Sequence, residues 1–452
     1  MSVPRPTIVL GLACVALVLG LVPFAGLLGT AVFVLAVRAL RGQTGARVRL
    51  RAAISLSVIA VAMGAGWTWV YLEPPRPALR GQAPVVVAVM GDDLRSEGSF
   101  VTGSLYPWAE RRELARATQL QEHTGAYALR IEGAREQTMQ VDSVGLVVAD
   151  HQPGVVLVPT TQEAVVSVSG SVAPLAPLSS VDVVLAGEPV RTWAVRFPRP
   201  AATNGAAPTR ALLVLTARST AFAEDAFARY LATMGQSMDP FMSWVTKETC
   251  TDACRQEVWD DETARLGIAL QVSVFGAAPR SIAPVGTHGL RTFAVPIDLP
   301  AGSGPVIVRL LATPRFWEIA RVALAPDSAR QDCIVLAPAR AELRRLEHTE
   351  DVRELVTSDD RRRAALRVGE RLDLRFDAPP LTDGRERVVF IALRAHYRVP
   401  TGGRRFLNLP VIAAHRSGLI SLPRFASTLD SSVENPSPDS ATTTSAALST
   451  GE

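Results

Sequence analysis

Residues 127–170 carry four short stretches: YALRIEG (127–133), TMQVDSVGLVVAD (138–150), VVLVP (155–159) and EAVVSVSG (163–170). Each is rich in Val and Ile, which pack well on a pleated surface. They are broken by Glu132-Gly133, by His151-Gln152-Pro153-Gly154 and by Gly170, residues that favour turns. VGLVV (144–148) shows no polar alternation, so it predicts a strand buried on both faces. A parallel α/β architecture would need helices of about 10–15 residues between such runs, and they are missing. The fold class that follows is mainly β.

The same texture extends in both directions. VVVAVM (85–90) ends in the turn signal Gly91-Asp92-Asp93, and residues 180–185, 193–197 and 210–216 read as further strands. The charged run 110–121 fits either a short helix or a strand on a sheet surface. From 266 onward GIALQVSVFG, TFAVPIDLP, GPVIVRLLA and FWEIARVALAP read as successive strands, and residues 363–381 and 385–399 close the β text. One segment departs from it. In AFAEDAFARYLATM (221–234), Phe222, Ala226, Phe227, Tyr230, Leu231 and Met234 recur at helical spacing, with Gly235 as the stop. That stripe predicts a helix docked on a sheet, and the charged connector 340–363 predicts a second short helix near 340–350. The expected organisation is two β-sandwich-like units, 85–262 and 263–430, with a disordered Ser/Thr-rich tail at 431–452. A similar polar-then-apolar pattern in MQVDSVGLVVAD (139–150) and FWEIARVALAPD (316–327) supports relating the two.

Ahead of the β text lies a different solvent. Residues 53–72 (AISLSVIAVAMGAGWTWVYL) hold no charge, match the length of a spanning helix, and gather Trp67, Trp69 and Tyr71 at one end. Glu73, Pro74 and Pro75 then stop it. Residues 8–37 are apolar for longer, with Gly20, Pro23, Gly26 and Gly29 inside, and read as one tilted helix or a close-packed hairpin. Arg38, Arg41, Arg47, Arg49 and Arg51 fill the spacer, which has no acidic residue. Such a loop stays in the cytoplasm. Residues 1–72 thus read as a transmembrane anchor in the cytoplasmic (inner) membrane of a bacterium. A linker at 73–84 follows, and residues 73–452 lie on the extracytoplasmic side.

Charge narrows the partners. The net +4 comes from 47 basic and 43 acidic residues, and the spacer arginines account for the excess. The remainder is nearly neutral, which argues against nucleic acid. Lys247 is the only lysine, and with the Ala, Val, Gly and Pro content this reads as the bias of a GC-rich bacterial genome. The expected partners are the lipid bilayer and an envelope glycan or another envelope protein.

Chemistry-bearing motifs are sparse. Cys14 lies in the apolar front, Cys333 stands alone, and Cys250 with Cys254 forms a CxxxC. In an oxidising compartment that pair is a candidate structural disulfide, the alternative being two inert thiols. A zinc site lacks its further ligands. The acidic run Trp259-Asp260-Asp261-Glu262 lacks the alternating oxygen spacing of a calcium loop. The histidines at 123, 151, 288, 348, 396 and 415 show no paired spacing, and Ser169 lacks the context of a nucleophile elbow. Asp150-His151 is the most site-like pair, set after a buried strand; its plain reading is a turn before Pro153-Gly154. No catalytic residue, cofactor or metal is expected. Tyr106, Trp108, Trp193, Trp259, Trp317 and Tyr397 are the aromatics to search for a binding surface.

YALRIEGAREQTMQVDSVGLVVADHQPG (127–154), FWEIARVALAPD (316–327) and residues 366–398 resemble β-rich modules of large extracytoplasmic bacterial proteins, the kind found beside FG-GAP propeller or ASPIC/UnbV-type regions. Residues 8–37 are similar to a Gly/Leu-rich two-helix domain at the N-termini of bacterial membrane proteins. The resemblance implies an envelope location and carries no active site. The functional expectation is a membrane-anchored, non-enzymatic binding or scaffolding protein, with a membrane-tethered carbohydrate-active hydrolase as the alternative. The topology is directly measurable: alkaline phosphatase fused after Arg80 is expected to be active, whereas an inactive fusion beside an active cytoplasmic reporter at the same point refutes the orientation.

Overall fold

The computed structural model describes Ile54, Ser55 and Val58 and then residues 85–429 with gaps, the longest at 100–110, 169–179, 235–262 and 398–407. Save for those three residues, the apolar stretches 8–37 and 53–72 and the linker 73–84 lie outside the described residues. So do Cys250, Cys254 and the tail 431–452. Among the described residues no helix is long and apolar enough to cross a membrane. By its contacts the chain divides into two units. One comprises Met1–Pro77, Ala232–Met238 and Gly402–Leu409; the other comprises Ala78–Leu231, Asp239–Thr401 and Pro410–Glu452. Within the first, Asn408 donates from its backbone N to Met234 O at 2.8 Å and from Nδ2 to Thr233 O at 2.9 Å. The second holds every described strand.

Among the described residues the protein is mainly β, 55% strand against 14% helix. In chain order come β1 (Val85–Met90), β2 (Asp93–Ser99), β3 (Arg111–Arg116), β4 (Ala126–Glu132) and β5 (Met139–His151), then the hairpin β6 (Val156–Pro159) and β7 (Val165–Val168). β8 (Ser180–Leu185), β9 (Glu188–Phe197) and β10 (Arg210–Ser219) lead to the helix Ala221–Met234. After it come β11 (Leu270–Val274), β12 (Arg280–Ile282), β13 (Arg291–Asp298), β14 (Val306–Ala312) and β15 (Trp317–Pro326). The set ends with β16 (Ile334–Leu336), β17 (Arg340–Arg344), β18 (Thr349–Asp351), β19 (Ala364–Leu366), β20 (Arg371–Asp377) and β21 (Glu386–Tyr397).

These strands form sheets in the orders β18-β17-β20-β4-β1-β2 and β16-β5-β21-β3, with β19 also on β5; β13-β10-β15; β12-β11-β14-β9-β8; and β6-β7. The pairing is nested. β4 and β5, early in the chain, pair antiparallel with β20 and β21 near its end. Strands β8 to β15, between them in sequence, pair among themselves, β10 with β13 and β15, and β9 with β14. Strands on either side of position 262 are therefore neighbours in every large sheet, and the sheets do not part at the boundary expected between 85–262 and 263–430. A local apolar run predicts a strand but not its partner, which is chosen by complementary faces.

Local outcomes follow from the same principle. The helix Ala221–Met234 forms where the stripe places it, with Phe222, Ala226, Phe227, Tyr230, Leu231 and Met234 all buried. The open segment 110–121 supplies β3. The helix expected near 340–350 is corrected: Arg340–Arg344 and Thr349–Asp351 are strands, and a five-residue helix lies beyond them at Arg353–Thr357. Ala341 and Leu343 sit two apart on one buried face opposite Leu374 and Leu372, so pairing with β20 outweighs the helix propensity of Arg, Glu and Leu. Two helices, Leu409–Arg416 and Leu422–Ser427, lie near the end of the described chain, in a stretch for which the sequence suggested no particular element.

β5 and β21 are buried on both faces, as VGLVV predicted. One face sends Val144, Leu146, Val148, Val389, Ile391 and Leu393 into a core shared with Tyr127, Leu129, Ile131, Leu372 and Leu374 of the six-stranded sheet. The other face, Val147, Ala149, Val388, Phe390 and Ala392, is covered by Leu157 and Val165 of the β6-β7 hairpin. The hairpin's opposite side, Val158, Val166 and Val168, packs on Leu212, Val214, Ala294, Ala323 and Ala325 of the three-stranded sheet. A buried acid pins the edge: Glu97 on β2 accepts hydrogen bonds from the backbone N of Thr118, Gln119 and Leu120 at 2.7, 2.8 and 2.6 Å and from Thr118 Oγ1 at 3.1 Å. Phe390→Ala, at a side chain 0% exposed under the hairpin, should cost about 3–5 kcal/mol. Val184→Ala, at a residue 72% exposed, should change stability by no more than about 0.5 kcal/mol. Urea unfolding of both variants checks the contrast, and equal effects would contradict the two-faced burial.

Candidate functional site

Asp150 and His151 both belong to β5, which ends at His151, so the turn begins one residue later than the sequence suggested. Consecutive strand residues point to opposite faces. Asp150 therefore shares the side of Val148 and His151 the side of Ala149, and the two do not combine into an acid–histidine pair.

Asp150 is taken by an arginine instead. Arg387, its register partner on β21, donates Nε–H to Asp150 Oδ1 at 2.7 Å and Nη2–H to Oδ2 at 2.8 Å. The same guanidinium donates to the carbonyl oxygens of Pro379 and Pro380 and hydrogen-bonds Tyr127 on β4. Arg385 Nη1 adds a bond to the Asp150 carbonyl oxygen at 3.2 Å. The two charged side chains are only 14% and 9% exposed. Hydrogen bonding from Arg387 is the main reason the Asp150 carboxyl is held below the usual carboxylate range, against the opposing effect of burial. Arg387 is raised above its ordinary value by the same bond. Burial pushes the Tyr127 phenol up, with Arg387 partly offsetting it. This cluster ties the end of β5 to β21, to β4 and to the Pro379-Pro380 segment that follows β20. Its donors and acceptors are engaged with one another, which is structural work.

On the opposite face, His151 borders a cleft of about 520 Å³. Its Nδ1 lies 2.8 Å from Gln152 O, whereas Nε2 is buried without a hydrogen-bond partner. Arg116, Arg385 and Glu386 form the polar wall; Val156, Leu157 and Leu381 contribute apolar surface. Neither the Arg116 nor the Glu386 side chain has an ion-pair partner among the described residues. β3 ends at Arg116, β21 begins at Glu386, and the hairpin supplies the floor, so three elements distant in sequence meet here.

A second cavity of about 440 Å³ lies beside β9, β11 and the two C-terminal helices, with Pro189, Leu311, Ile420 and Pro423 among its walls. At its edge the Tyr230 hydroxyl and His415 Nδ1 are 2.7 Å apart, both residues buried.

The remaining candidates are dispersed. His123 and His348 are exposed on separate turns; the backbone of His396 and Tyr397 lies in β21. His288, Ser169, Tyr106, Trp108 and the run Trp259 to Glu262 lie outside the described residues, as does the proposed disulfide pair Cys250 and Cys254. Trp193 and Trp317 are buried at 6% and 3% exposure and serve the core; Trp317 Nε1 donates to Ile268 O at 2.8 Å. Cys333 is a free, half-buried thiol whose pKa is raised by burial. Among the described residues no three His, Cys, Asp or Glu side chains gather as metal ligands. Sequence reading missed Arg116, Arg385 and Glu386, whose only signal was their position at strand ends. No protein-family model and no curated protein matches the chain.

Asp150→Asn should leave Arg387 a charge without its counter-charge and cost about 3 kcal/mol near pH 7. A depressed carboxylate lends its full stability above the ordinary value of about 3.9 and loses it as the pH falls through its own lower value. The gap between wild type and variant in urea midpoint should therefore narrow toward about pH 3. A gap of the same size at both pH values would show that the Asp150 charge contributes nothing.

Proposed function

We propose that the chain is a membrane-anchored extracytoplasmic binding or scaffolding protein of the bacterial envelope, non-enzymatic, akin to the β-rich modules that its segments resemble. The observation that carries this reading is the separation of Asp150 from His151. The residue best placed to act as a general acid or base partner is locked in a bidentate ion pair on the wrong face of the sheet. Catalysis by such a pair needs both groups within hydrogen-bond reach of one reacting centre. The cleft on the His151 face instead combines unpaired charged groups with apolar walls, the composition of a recognition surface. The membrane location rests on the uncharged run at 53–72 and the arginine spacer at 38–51.

The test uses the full chain in detergent micelles, presented with fragmented envelope glycan. Retention of glycan without release of new reducing ends is the expected result. Reducing ends that appear with the wild type and vanish in both His151→Ala and Glu386→Gln would replace this reading with the membrane-tethered hydrolase.

A further inference from the structure

The cleft beside His151 has a chemistry that narrows its ligand. Two guanidiniums, Arg116 and Arg385, stand against one carboxylate, Glu386, because Arg387 is neutralised by Asp150. The local surplus is thus a single positive charge. Arg116 and Arg385 present planar donors suited to an oxyanion. His151 adds a ring nitrogen, Nε2, that is desolvated and unpaired in a residue 6% exposed. Leaving a buried polar atom unpaired costs about 1–3 kcal/mol, which a bound hydrogen-bonding ligand would recover. Glu386 stands across from His151 in the strand register and accepts hydrogen bonds only. It repels a second negative charge and suits hydroxyl donors. Val156 and Leu381, 47% and 50% exposed, provide an apolar shelf for the carbon face of a ring.

We infer that this cleft binds an acidic sugar residue. The single carboxylate engages Arg116 and Arg385, the hydroxyls meet Glu386 and His151 Nε2, and the ring lies on Val156 and Leu381. The inference rests on the binding-protein reading and adds the ligand class to it. One net charge matches a monocarboxylate better than a phosphate dianion, and the acceptor Glu386 distinguishes a hydroxylated acid from a bare one.

The experiment is calorimetric titration of the full chain in detergent with glucuronate, and with glucose, acetate and inorganic phosphate as comparisons. Glucuronate should bind, and each comparison should bind at least about tenfold more weakly, the factor expected when one charged or hydroxyl contact is missing. Arg116→Gln and Glu386→Gln alter exposed side chains, so they keep the test open even where His151→Gln disturbs the fold. Arg116→Gln should weaken glucuronate about tenfold while leaving the unfolding midpoint in place. Glu386→Gln should narrow the preference of glucuronate over phosphate. Glucose binding as tightly as glucuronate, or phosphate binding more tightly, overturns the acidic-sugar assignment while the binding-protein reading stands. Cleavage of an oligomeric glucuronate substrate, abolished by Glu386→Gln, overturns the non-enzymatic reading while the ligand class stands. Absence of glucuronate binding alongside retention of envelope glycan refutes this cleft as the acidic-sugar site.

Discussion

The antiparallel pairing of Met139–His151 with Glu386–Tyr397 holds together two parts of the chain separated by 237 positions at the Asp150–Arg387 bond. Closing so long a loop is less expensive than its length suggests, since each doubling adds about 0.6 kcal/mol. Relative to a 15-residue hairpin the added cost is about 2.4 kcal/mol. Burying a single Phe or Leu side chain contributes about 1.5–3 kcal/mol, and the pair buries Phe390, Ile391, Leu393, Leu146 and Val148 together. The closure is thereby well supported, and the strands β8–β15 form their own sheets inside the closed loop.

Burial of that pair on both faces sets what surrounds it. A sheet with one wet side would leave Val147, Ala149 and Phe390 in water. The β6-β7 hairpin covers them, and its far side is covered in turn by the three-stranded sheet. Backbone contacts lock the hairpin at its tip, where Thr161 N donates to Ala294 O at 3.0 Å, and beside it, where Gln331 N donates to Val165 O at 2.8 Å. Arg291, buried at 7% exposure on β13, has its pKa lowered by that burial while the charges of Glu113 and Glu97 partly support it. Removing those carboxylates would withdraw that support from a buried cation, at a cost in stability. The cleft bordered by His151 exists because the hairpin stops at the strand ends and leaves the last residue of β5 at a margin.

Surface ion pairs do different work. Asp373 on β20 receives Arg130 at 2.6 Å and Arg344 at 2.8 Å across neighbouring strands. Such partly exposed pairs contribute little individually, about 0–1 kcal/mol each. Their arrangement along β17, β20 and β4 discourages a shifted register, because a one-residue slip would turn these charges inward. The near absence of lysine suits this use, since a guanidinium spans two carboxylate oxygens in a way an ammonium does not.

Read alone, the amino-acid sequence determined the class of structure. The Val-rich runs with Gly and Pro between them specified strands, VGLVV specified a strand without a wet face, and the 3.6-residue stripe specified the helix Ala221–Met234. All are local signals, in which side-chain shape and periodicity act on their own segment. The helix start at Ser421 was not read from the sequence, although its signal is local: Ser421 Oγ accepts from Arg424 N at 3.4 Å, with Pro423 in the first turn. Partner choice was not local. Nothing between 127 and 151 names residues 371–397 as its neighbours, and the charged segment 340–344 became a strand only because β20 offered a matching face. The candidate site depended on the same decision. Asp150 and His151 are adjacent in sequence yet face opposite ways, while Arg116, His151, Arg385 and Glu386 are scattered in sequence yet border one cleft. Strand ends carry no sequence mark of what stands across from them, so only tertiary pairing could bring those charges together.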